Sequence, residues 1–183
     1  MPRIYTRTGD DGTTGRLYGG RIPKSDPATE AYGAVDEAVA ALGVVRAQSD
    51  NAVLRAEILR IQRDLFVVGA ELATNPAQRS KLEPGISVVT SEMVDRIEEL
   101  IDRTVEQHPL PNEFVVPGAS PISAALDVAR GIVRRAERRA VTLRESGAEV
   151  SADLLKYLNR VSDLLFCFAR WQAGTTEEPS RER

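Results

Sequence analysis

The sequence predicts an all-α protein, an up-and-down bundle of four to five long helices with an ordered N-terminal loop. Apolar residues make up 42% of the 183 residues and aromatic residues only 5%. Glycine and proline concentrate between apolar stretches of helical period, a pattern typical of helices joined by loops. The length fits one domain, so we expect residues 1–183 to form a single unit.

The first two helices are predicted from a start signal and from apolar stripes. Asp26–Pro27 supplies a capping residue followed by a proline at the first helical position, and the first helix should cover 27–48. A second apolar stripe occupies Leu54–Leu72 and stops before an Asn-Pro pair. We expect the long connection that follows, 74–90, to be mobile.

Three more helices are predicted from the same kinds of signal. Thr90–Ser91 should open the third helix, and a histidine-proline pair, His108–Pro109, should end it. The fourth should begin at Pro121 and be closed by Gly147. The fifth should lie between a cap at Ser151 and a terminating glycine at 174. The helix bundle therefore spans 27–174, and we expect residues 175–183 to be a flexible tail.

Charge and composition narrow the possible partners and the cellular location. With 24 basic and 27 acidic side chains the net charge is −3, which argues against broad attraction to nucleic acid or to an anionic membrane. The first residues lack the apolar core of a secretory signal, and no apolar run approaches a membrane span. We therefore expect a cytoplasmic protein, with the single cysteine, Cys167, packed in the core.

Five arginines lie within ten residues of the fourth predicted helix, between Arg130 and Arg139. Residues three and four apart are neighbours on a helix, so Arg130, Arg134 and Arg138 share one stripe with Glu137. A guanidinium offers a planar fork of donors to phosphate oxygens, so such a row can neutralise a triphosphate. The alternative is a solvated face that carries internal ion pairs, such as Arg134 with Glu137.

The N-terminal loop, 1–26, contains three glycines among threonines within residues 6–15. It has neither the order of a Walker loop nor a GxGxxG after a strand. Its amides and hydroxyls can still form a phosphate nest, with Lys24 as a nearby charge, and we interpret it as a nucleotide-binding loop. An ordinary polar loop is the alternative. Asp10 and Asp11 could hold a cation, but we expect no metal site in the protein and Mg²⁺ to arrive on the phosphates.

Two other residues are less informative. His108 is the only histidine, which excludes a multi-histidine metal site or a histidine-based triad, and we expect it at the surface. Asn159 lies in the middle of the fifth predicted helix despite a poor helix propensity. Either a specific contact or simple exposure would explain it.

Taken together, these segments resemble the PduO-type ATP:cob(I)alamin adenosyltransferases over nearly the whole chain. Their order and spacing carry the resemblance. The segments are Thr6–Thr14, Gly20–Arg21 with Lys24, Glu30–Glu37, Phe114–Gly118, Ala129–Arg139 and Tyr157–Asp163. The resemblance implies a homotrimer of helical bundles with active sites between subunits. It also implies transfer of the 5′-deoxyadenosyl group of ATP to the cobalt of cob(I)alamin, which forms adenosylcobalamin and releases triphosphate.

The resemblance implies contacts to ATP from two subunits. One subunit would supply Thr6, Arg7, Thr8, Gly9, Asp10, Gly12, Thr13, Thr14 and Lys24, and a neighbour would supply Arg134, Arg135, Glu137, Arg138 and Asn159. Asp36 would pair with Arg130 and support the corrinoid side, which makes these two and Arg134 the expected catalytic residues. Phe114 looks like the aromatic residue that displaces the lower ligand of the corrinoid and favours four-coordinate cobalt.

The side-chain chemistry agrees with this reaction. Cobalt(I) is a strong nucleophile, so no catalytic serine, cysteine, histidine or general base is needed. The protein has to position C5′ and stabilise the leaving triphosphate. Two rival classes stay open, a helical adaptor and an ATP-dependent phosphotransferase. The sequence also leaves open which reductase supplies electrons and whether the product passes to an adenosylcobalamin-dependent mutase.

Overall fold

Five long helices dominate the computed structural model, which describes residues 4–174 and 177–181. Their bounds are α1 Pro27–Gln48, α2 Ala52–Ala73, α3 Ser91–Gln107, α4 Pro121–Glu145 and α5 Ala152–Ala173. The predicted all-α bundle is therefore confirmed, and each predicted helix is present with ends within about two residues of the expected positions.

Polar caps fix the beginnings of four of these helices. The Asp26 carboxylate accepts a hydrogen bond from the Ala28 amide at 2.8 Å, and Asn51 accepts from the amides of the first turn of α2. Ser120 and Ser123 form a reciprocal capping box at the start of α4. Ser151 caps α5. These side chains satisfy amides that have no partner within the helix, which is why the helices begin where they do.

Helix α4 lies at the centre of the bundle, between α1 and α5, while α2 packs on α1 and α3 packs on α5. Its inward face carries the fully buried alanines Ala129, Ala136 and Ala140. Small side chains let neighbouring helices approach closely, and larger residues such as Leu126 and Val133 fill the remaining space. This packing fixes which flanks of α4 remain available for ligands.

The connection 74–90, predicted to be mobile, is anchored to the bundle by Glu71. The two oxygens of this buried carboxylate accept hydrogen bonds from the Val89 amide at 3.0 Å and the Ser151 amide at 3.1 Å. Arg79, in a short 3-10 helix within the connection, lies 3.7 Å from Glu71. One carboxylate thus joins the end of α2, the connection and the start of α5.

Two small antiparallel β-ribbons accompany the helices. The strands β1 Thr13–Gly15 and β2 Arg21–Pro23 form a hairpin within the predicted N-terminal loop. The strands β3 Val115–Val116 and β4 Glu178–Pro179 pair the segment before α4 with the C-terminal residues. The expectation of a flexible tail thus differs from the structure at residues 177–181, because these residues find backbone partners 62 to 66 positions earlier in the chain. The rest of that tail, 175–176 and 182–183, lies outside the described residues.

Candidate functional site

The N-terminal loop is organised by Asp11. Its Oδ1 accepts hydrogen bonds from the amide and the hydroxyl of Thr13, at 2.9 and 2.7 Å. These bonds, the hydroxyl bond first, lower the pKa of Asp11 below its ordinary value of 3.8. Arg21 donates to the same Thr13 hydroxyl and to the carbonyl of Thr8. The carboxylate therefore stays ionised at neutral pH. Through its hydrogen bonds it fixes the conformation of the loop.

Lys24 closes the loop from its other side. Its ammonium group donates to the carbonyl of Gly9 at 2.8 Å, and its backbone amide donates to the carbonyl of Gly12 at 2.8 Å. A side chain at position 9 would lie 3.1 Å from the Thr13 carbonyl, and Gly12 has φ of 82°, so a glycine suits both positions. Lys24 thus lies against the backbone of the loop that we predicted to bind phosphate.

The other predicted loop residues are open to solvent. Thr6 and Thr8 share a hydrogen bond of 2.8 Å between their hydroxyls, and both side chains are exposed. Asp10 is also exposed, while Thr14 is half-buried within β1. The backbone of Arg7 has the left-handed conformation, with φ of 62°, which is strained for a residue with a side chain. The loop therefore presents hydroxyls, amides and an arginine at the surface.

The hairpin is attached to the ends of α1 and α2. The Leu17 amide donates to the carbonyl of the residue before Thr74 at 2.9 Å, and the Leu17 carbonyl accepts from the amide of the residue after Thr74 at 3.1 Å. Asn75 donates from its side chain to the Gly19 carbonyl at 2.9 Å. Arg16 lies 3.8 Å from the Asp26 carboxylate that caps α1. The loop consequently has a fixed position relative to the bundle.

The arginine row of α4 is divided between two flanks. Arg135 pairs with Glu37, and Arg139 lies 3.6 Å from Glu30, so both face α1 of the same chain. Arg134 and Arg138 are exposed on the other flank. Across residues 4–174 and 177–181, neither of these two guanidiniums has an ion pair or a hydrogen bond.

The predicted stripe is therefore present without the internal pairing that a solvated face would show. The alternative pair of Arg134 with Glu137 does not form; Glu137 instead accepts a hydrogen bond from Asn159 of α5 at 3.2 Å. Arg160 donates to the Asn159 side chain at 2.7 Å and to Glu98 of α3 at 2.7 Å. This chain of contacts explains the asparagine in mid-helix and places Glu137 and Asn159 beside Arg134.

Arg135, which the resemblance implied as a contact to ATP, faces α1. With Arg139, Glu30 and Glu37 it lines a polar cavity of about 390 Å³ between α1 and α4. Its guanidinium is paired there with a carboxylate from the same subunit. The structure thus separates Arg135 from the flank on which Arg134 and Arg138 lie.

The structure does not join Asp36 and Arg130 within one chain. The exposed Asp36 borders an apolar cavity of about 440 Å³ between α1 and α2, which is lined by residues such as Phe66 and Gly69. Arg130 lies against α5, with its guanidinium 5.5 Å from the centre of the Phe166 ring. Because the two side chains occupy different helix interfaces, the predicted pair would have to form between subunits.

A cluster around Phe166 was not predicted from the sequence. Arg170 lies 5.0 Å from the centre of this ring, on which Arg130 also lies, and it is only 6% exposed. Its guanidinium donates to Asp127 of α4 and lies 2.7 Å from Glu177. Burial raises the pKa of Glu177, and the opposing effect of Arg170 is smaller. Arg170 and Asp127 are 43 residues apart in sequence and lie on different helices, so no local signal could have revealed their pairing.

Phe114 lies next to this end of the bundle, immediately before β3. Its side chain is 88% exposed, and its carbonyl accepts a hydrogen bond from the Ser180 amide at 2.7 Å. An aromatic ring this exposed buries little area within the subunit, so its stabilisation of the monomer is small. Its exposure leaves the ring available for a ligand.

The single cysteine and the single histidine both pack against other side chains. Burial raises the pKa of Cys167 to about 11, so its thiol is protonated at neutral pH. His108, expected at the surface, is half-buried and stacks on Trp171 with 4.8 Å between ring centres. Within the described residues, no group of three or more histidine, cysteine, aspartate or glutamate side chains is arranged to hold a metal ion. Those residues also contain no helix that is long and apolar enough to cross a membrane.

Comparison with known proteins gives consistent matches over almost the full length. A family model described as cobalamin adenosyltransferase matches residues 4–172. A corrinoid adenosyltransferase of Citrobacter freundii is 43% identical over 97% of this chain and 98% of its own. A corrinoid adenosyltransferase of Mycobacterium tuberculosis (strain ATCC 25618 / H37Rv) is 45% identical over 93% of this chain and 88% of its own.

Two solved structures have the same fold. One is a phenylalanine-to-alanine variant of a PduO-type ATP:corrinoid adenosyltransferase from Lactobacillus reuteri complexed with cobalamin and ATP. It matches with a TM-score of 0.85 and 34% identity over 93% of both chains. The other is an arginine-to-lysine variant of the enzyme from the same organism, complexed with ATP. It matches with a TM-score of 0.83 and 34% identity over 93% of this chain and 94% of that one.

Proposed function

Because this chain belongs to the cobalamin adenosyltransferase family, we propose that it transfers the 5′-deoxyadenosyl group of ATP to the cobalt of cob(I)alamin. The products are adenosylcobalamin and triphosphate. The observation that carries the proposal is the pair of exposed guanidiniums, Arg134 and Arg138, which have no carboxylate partner among the described residues. Their unpaired donors suit an anionic leaving group.

The proposed mechanism relies on positioning and electrostatics. The incoming cobalt(I) is itself the nucleophile, so the protein does not have to generate one. Lys24, the loop amides and the threonine hydroxyls hold the phosphates, and Mg²⁺ enters with ATP. Arg134 and Arg138 stabilise the charge that grows on the triphosphate as the bond to C5′ breaks. Glu137 and Asn159 orient the neighbouring donors through their hydrogen bond.

The active site is proposed to lie between two subunits of a homotrimer. Within one chain, no hydrogen bond or ion pair among the described residues joins the loop 6–24 to Arg134 or Arg138. Asp36 and Arg130 are likewise apart and face different helix interfaces. A second subunit that docks its loop against the exposed flank of α4 would complete both halves.

The corrinoid is proposed to bind near Arg130 and Phe114. Phe114 is exposed and Arg130 lies on the adjoining face of α4, so a corrin ring placed there contacts an aromatic surface on one side. The Phe114 ring displaces the lower ligand of the corrinoid, which lowers the coordination number of the cobalt. Cytoplasmic location, an electron-donating reductase and a mutase that receives the product are further parts of the proposal.

One anaerobic assay tests the proposed function. The protein is mixed with Mg-ATP and chemically reduced cobalamin, the visible absorbance of the cobalt–carbon product is followed, and the released phosphate species is identified. Adenosylcobalamin and intact triphosphate in equal amounts are expected. Release of ADP or AMP would indicate a phosphotransferase. An adaptor would form no product, and its thermal stability would not change when ATP is added.

A further inference from the structure

The C-terminal residues 177–181 make two contacts with the rest of the chain. At the first point, β4 pairs with β3, and Ser180 donates its amide to the carbonyl of Phe114 at 2.7 Å. At the second point, Glu177 lies 2.7 Å from Arg170. The C-terminal residues therefore connect Phe114 to the buried arginine of α5.

Charge balance around Arg170 explains why this connection forms. A buried guanidinium is costly unless its charge is compensated, and the Arg170 side chain is only 4% exposed. Asp127 supplies one carboxylate from α4, but Arg130 adds a second positive charge on the ring of Phe166. Glu177 supplies the second carboxylate, so two acids paired with Arg170 balance the two arginines that lie on the Phe166 ring. The C-terminal residues thus complete an otherwise positive cluster.

The position of Phe114 depends on the same residues. Phe114 lies between α3 and α4 in a stretch without helix, and its side chain is 88% exposed. Core packing therefore does not fix the ring. The backbone hydrogen bonds to β4 hold this segment to the C-terminal residues. A loss of β4 would leave the backbone of Val115 and Val116 without its sheet partner.

We propose that residues 177–181 form a strap that positions Phe114 against the bound corrinoid, anchored by the ion pair of Glu177 with Arg170. This inference rests on the proposed function. Glu177 and Arg170 act as positioning residues, because they act through Phe114 and Arg130 rather than on the cobalt. The strap makes the lower face of the corrinoid site dependent on the C-terminus of the chain.

The test compares Glu177→Gln with a matched control, Glu106→Gln. Both changes remove one carboxylate, but Glu106 is exposed on α3 and has no ion pair among the described residues. In Glu177→Gln we expect the KM for cobalamin to rise about tenfold and the KM for ATP to stay within about twofold. The fraction of four-coordinate cob(II)alamin, measured from its absorption and electron paramagnetic resonance spectra with ATP present, should fall. Glu106→Gln should match the parent.

A second variant and a double-mutant cycle separate positioning from general stability. A chain that ends at Gly174 should show the same selective loss with a circular dichroism spectrum like that of the parent. In a Phe114→Ala background, Glu177→Gln should add less than about twofold, because its effect passes through that ring. Fully additive effects, or equal rises in both KM values, would overturn the strap.

Hydrogen exchange distinguishes a failed strap from a failed function. The amides of the segment 113–117 should exchange faster in Glu177→Gln than in the parent and the control, whether or not the protein makes adenosylcobalamin. Unchanged exchange would refute the strap even if the parent is active. An inactive parent with faster exchange in the variant would refute the proposed function and leave the strap without its role at the corrinoid.

Discussion

The guanidinium of Arg130 lies over the ring of Phe166, 5.5 Å from its centre, while Arg170 lies 5.0 Å from the centre of the same ring. The surroundings of Arg130 therefore differ from those of Arg134 and Arg138, although the three share a stripe of α4. Its position is fixed by α5, whereas Arg134 and Arg138 have no carboxylate partner among the described residues. Under the proposed function, one helix would thus serve two substrates, with a packed arginine towards the corrinoid and free arginines towards the triphosphate.

Arg134→Ala should lower turnover at least roughly 100-fold, because one preorganised donor to a developing charge contributes about 3–4 kcal/mol in the transition state. The fold should be unaffected, since Arg134 makes no ion pair or hydrogen bond among the described residues. Arg144→Ala on the same helix is the control, because Arg144 is also exposed and its side chain is unpaired within residues 4–174 and 177–181. Steady-state kinetics and thermal melting measure the two effects. Activity within a few-fold of the parent would refute the leaving-group role.

Asp11→Asn should raise the KM for ATP about tenfold while the KM for cobalamin changes little. Asp11 organises the loop by accepting two hydrogen bonds from Thr13, and an amide oxygen accepts them more weakly than a carboxylate. Asp50→Asn, in the exposed turn between α1 and α2, is the matched control. If the two variants bind ATP equally well in a titration, the loop does not depend on Asp11.

The pH dependence of the loop follows from the same carboxylate. Its pKa is lowered in the folded protein, so its contribution is complete above the ordinary value of 3.8 and is lost only as the pH falls through the lower, folded value. ATP binding by the parent should therefore show no titration from Asp11 between pH 5 and 8. A fall in affinity across that range that is absent in Asp11→Asn would contradict the assignment.

The helices could be predicted from the sequence because their signals are local. A cap and a proline at Asp26–Pro27, or a glycine at 174, act on the few residues beside them. The Arg134 and Arg138 flank was predictable for the same reason, since helical spacing alone defines it. The pairing of β4 with β3 and the contact of Glu177 with Arg170 depend on chain segments that only the folded bundle brings together. Short strands of two residues carry no periodic pattern, so nothing in the tail predicted its order.

Tyr157→Phe should lower the free energy of unfolding by about 1–2 kcal/mol. The fully buried Tyr157 hydroxyl donates to Asp64 at 2.8 Å, and Asp64 keeps Arg96 as a partner when the hydroxyl is removed. Tyr5→Phe is the control, because Tyr5 is exposed. Urea unfolding measures both variants, and equal stabilities would show that this hydrogen bond contributes nothing net.

The alkaline limit of stability should also depend on Tyr157. Burial, with the nearby Asp64 charge second, raises the pKa of Tyr157 well above its ordinary value of 10.0. Protonated Tyr157 thus contributes its full stability below pH 10, and this contribution is lost as the pH rises from 10 towards the folded value. The parent should lose up to about 1.4 kcal/mol per pH unit above pH 10 from this group. Tyr157→Phe should show a correspondingly shallower loss.

Mixed assemblies of two inactive variants test whether the active site lies between subunits. Lys24→Ala disables the loop half of the site and Arg134→Ala disables the arginine half, and each variant alone should have little activity. If the halves come from different subunits, random mixing by co-expression pairs an intact loop with an intact arginine at about a quarter of the interfaces in a closed ring. Activity should therefore recover to about a quarter of the parent value. If both halves came from the same subunit, every site would keep one defect and the mixture would stay as inactive as its components.

The control for simple addition combines separately purified variants without subunit exchange. Size-exclusion chromatography with light scattering checks that all three preparations have the mass of a trimer.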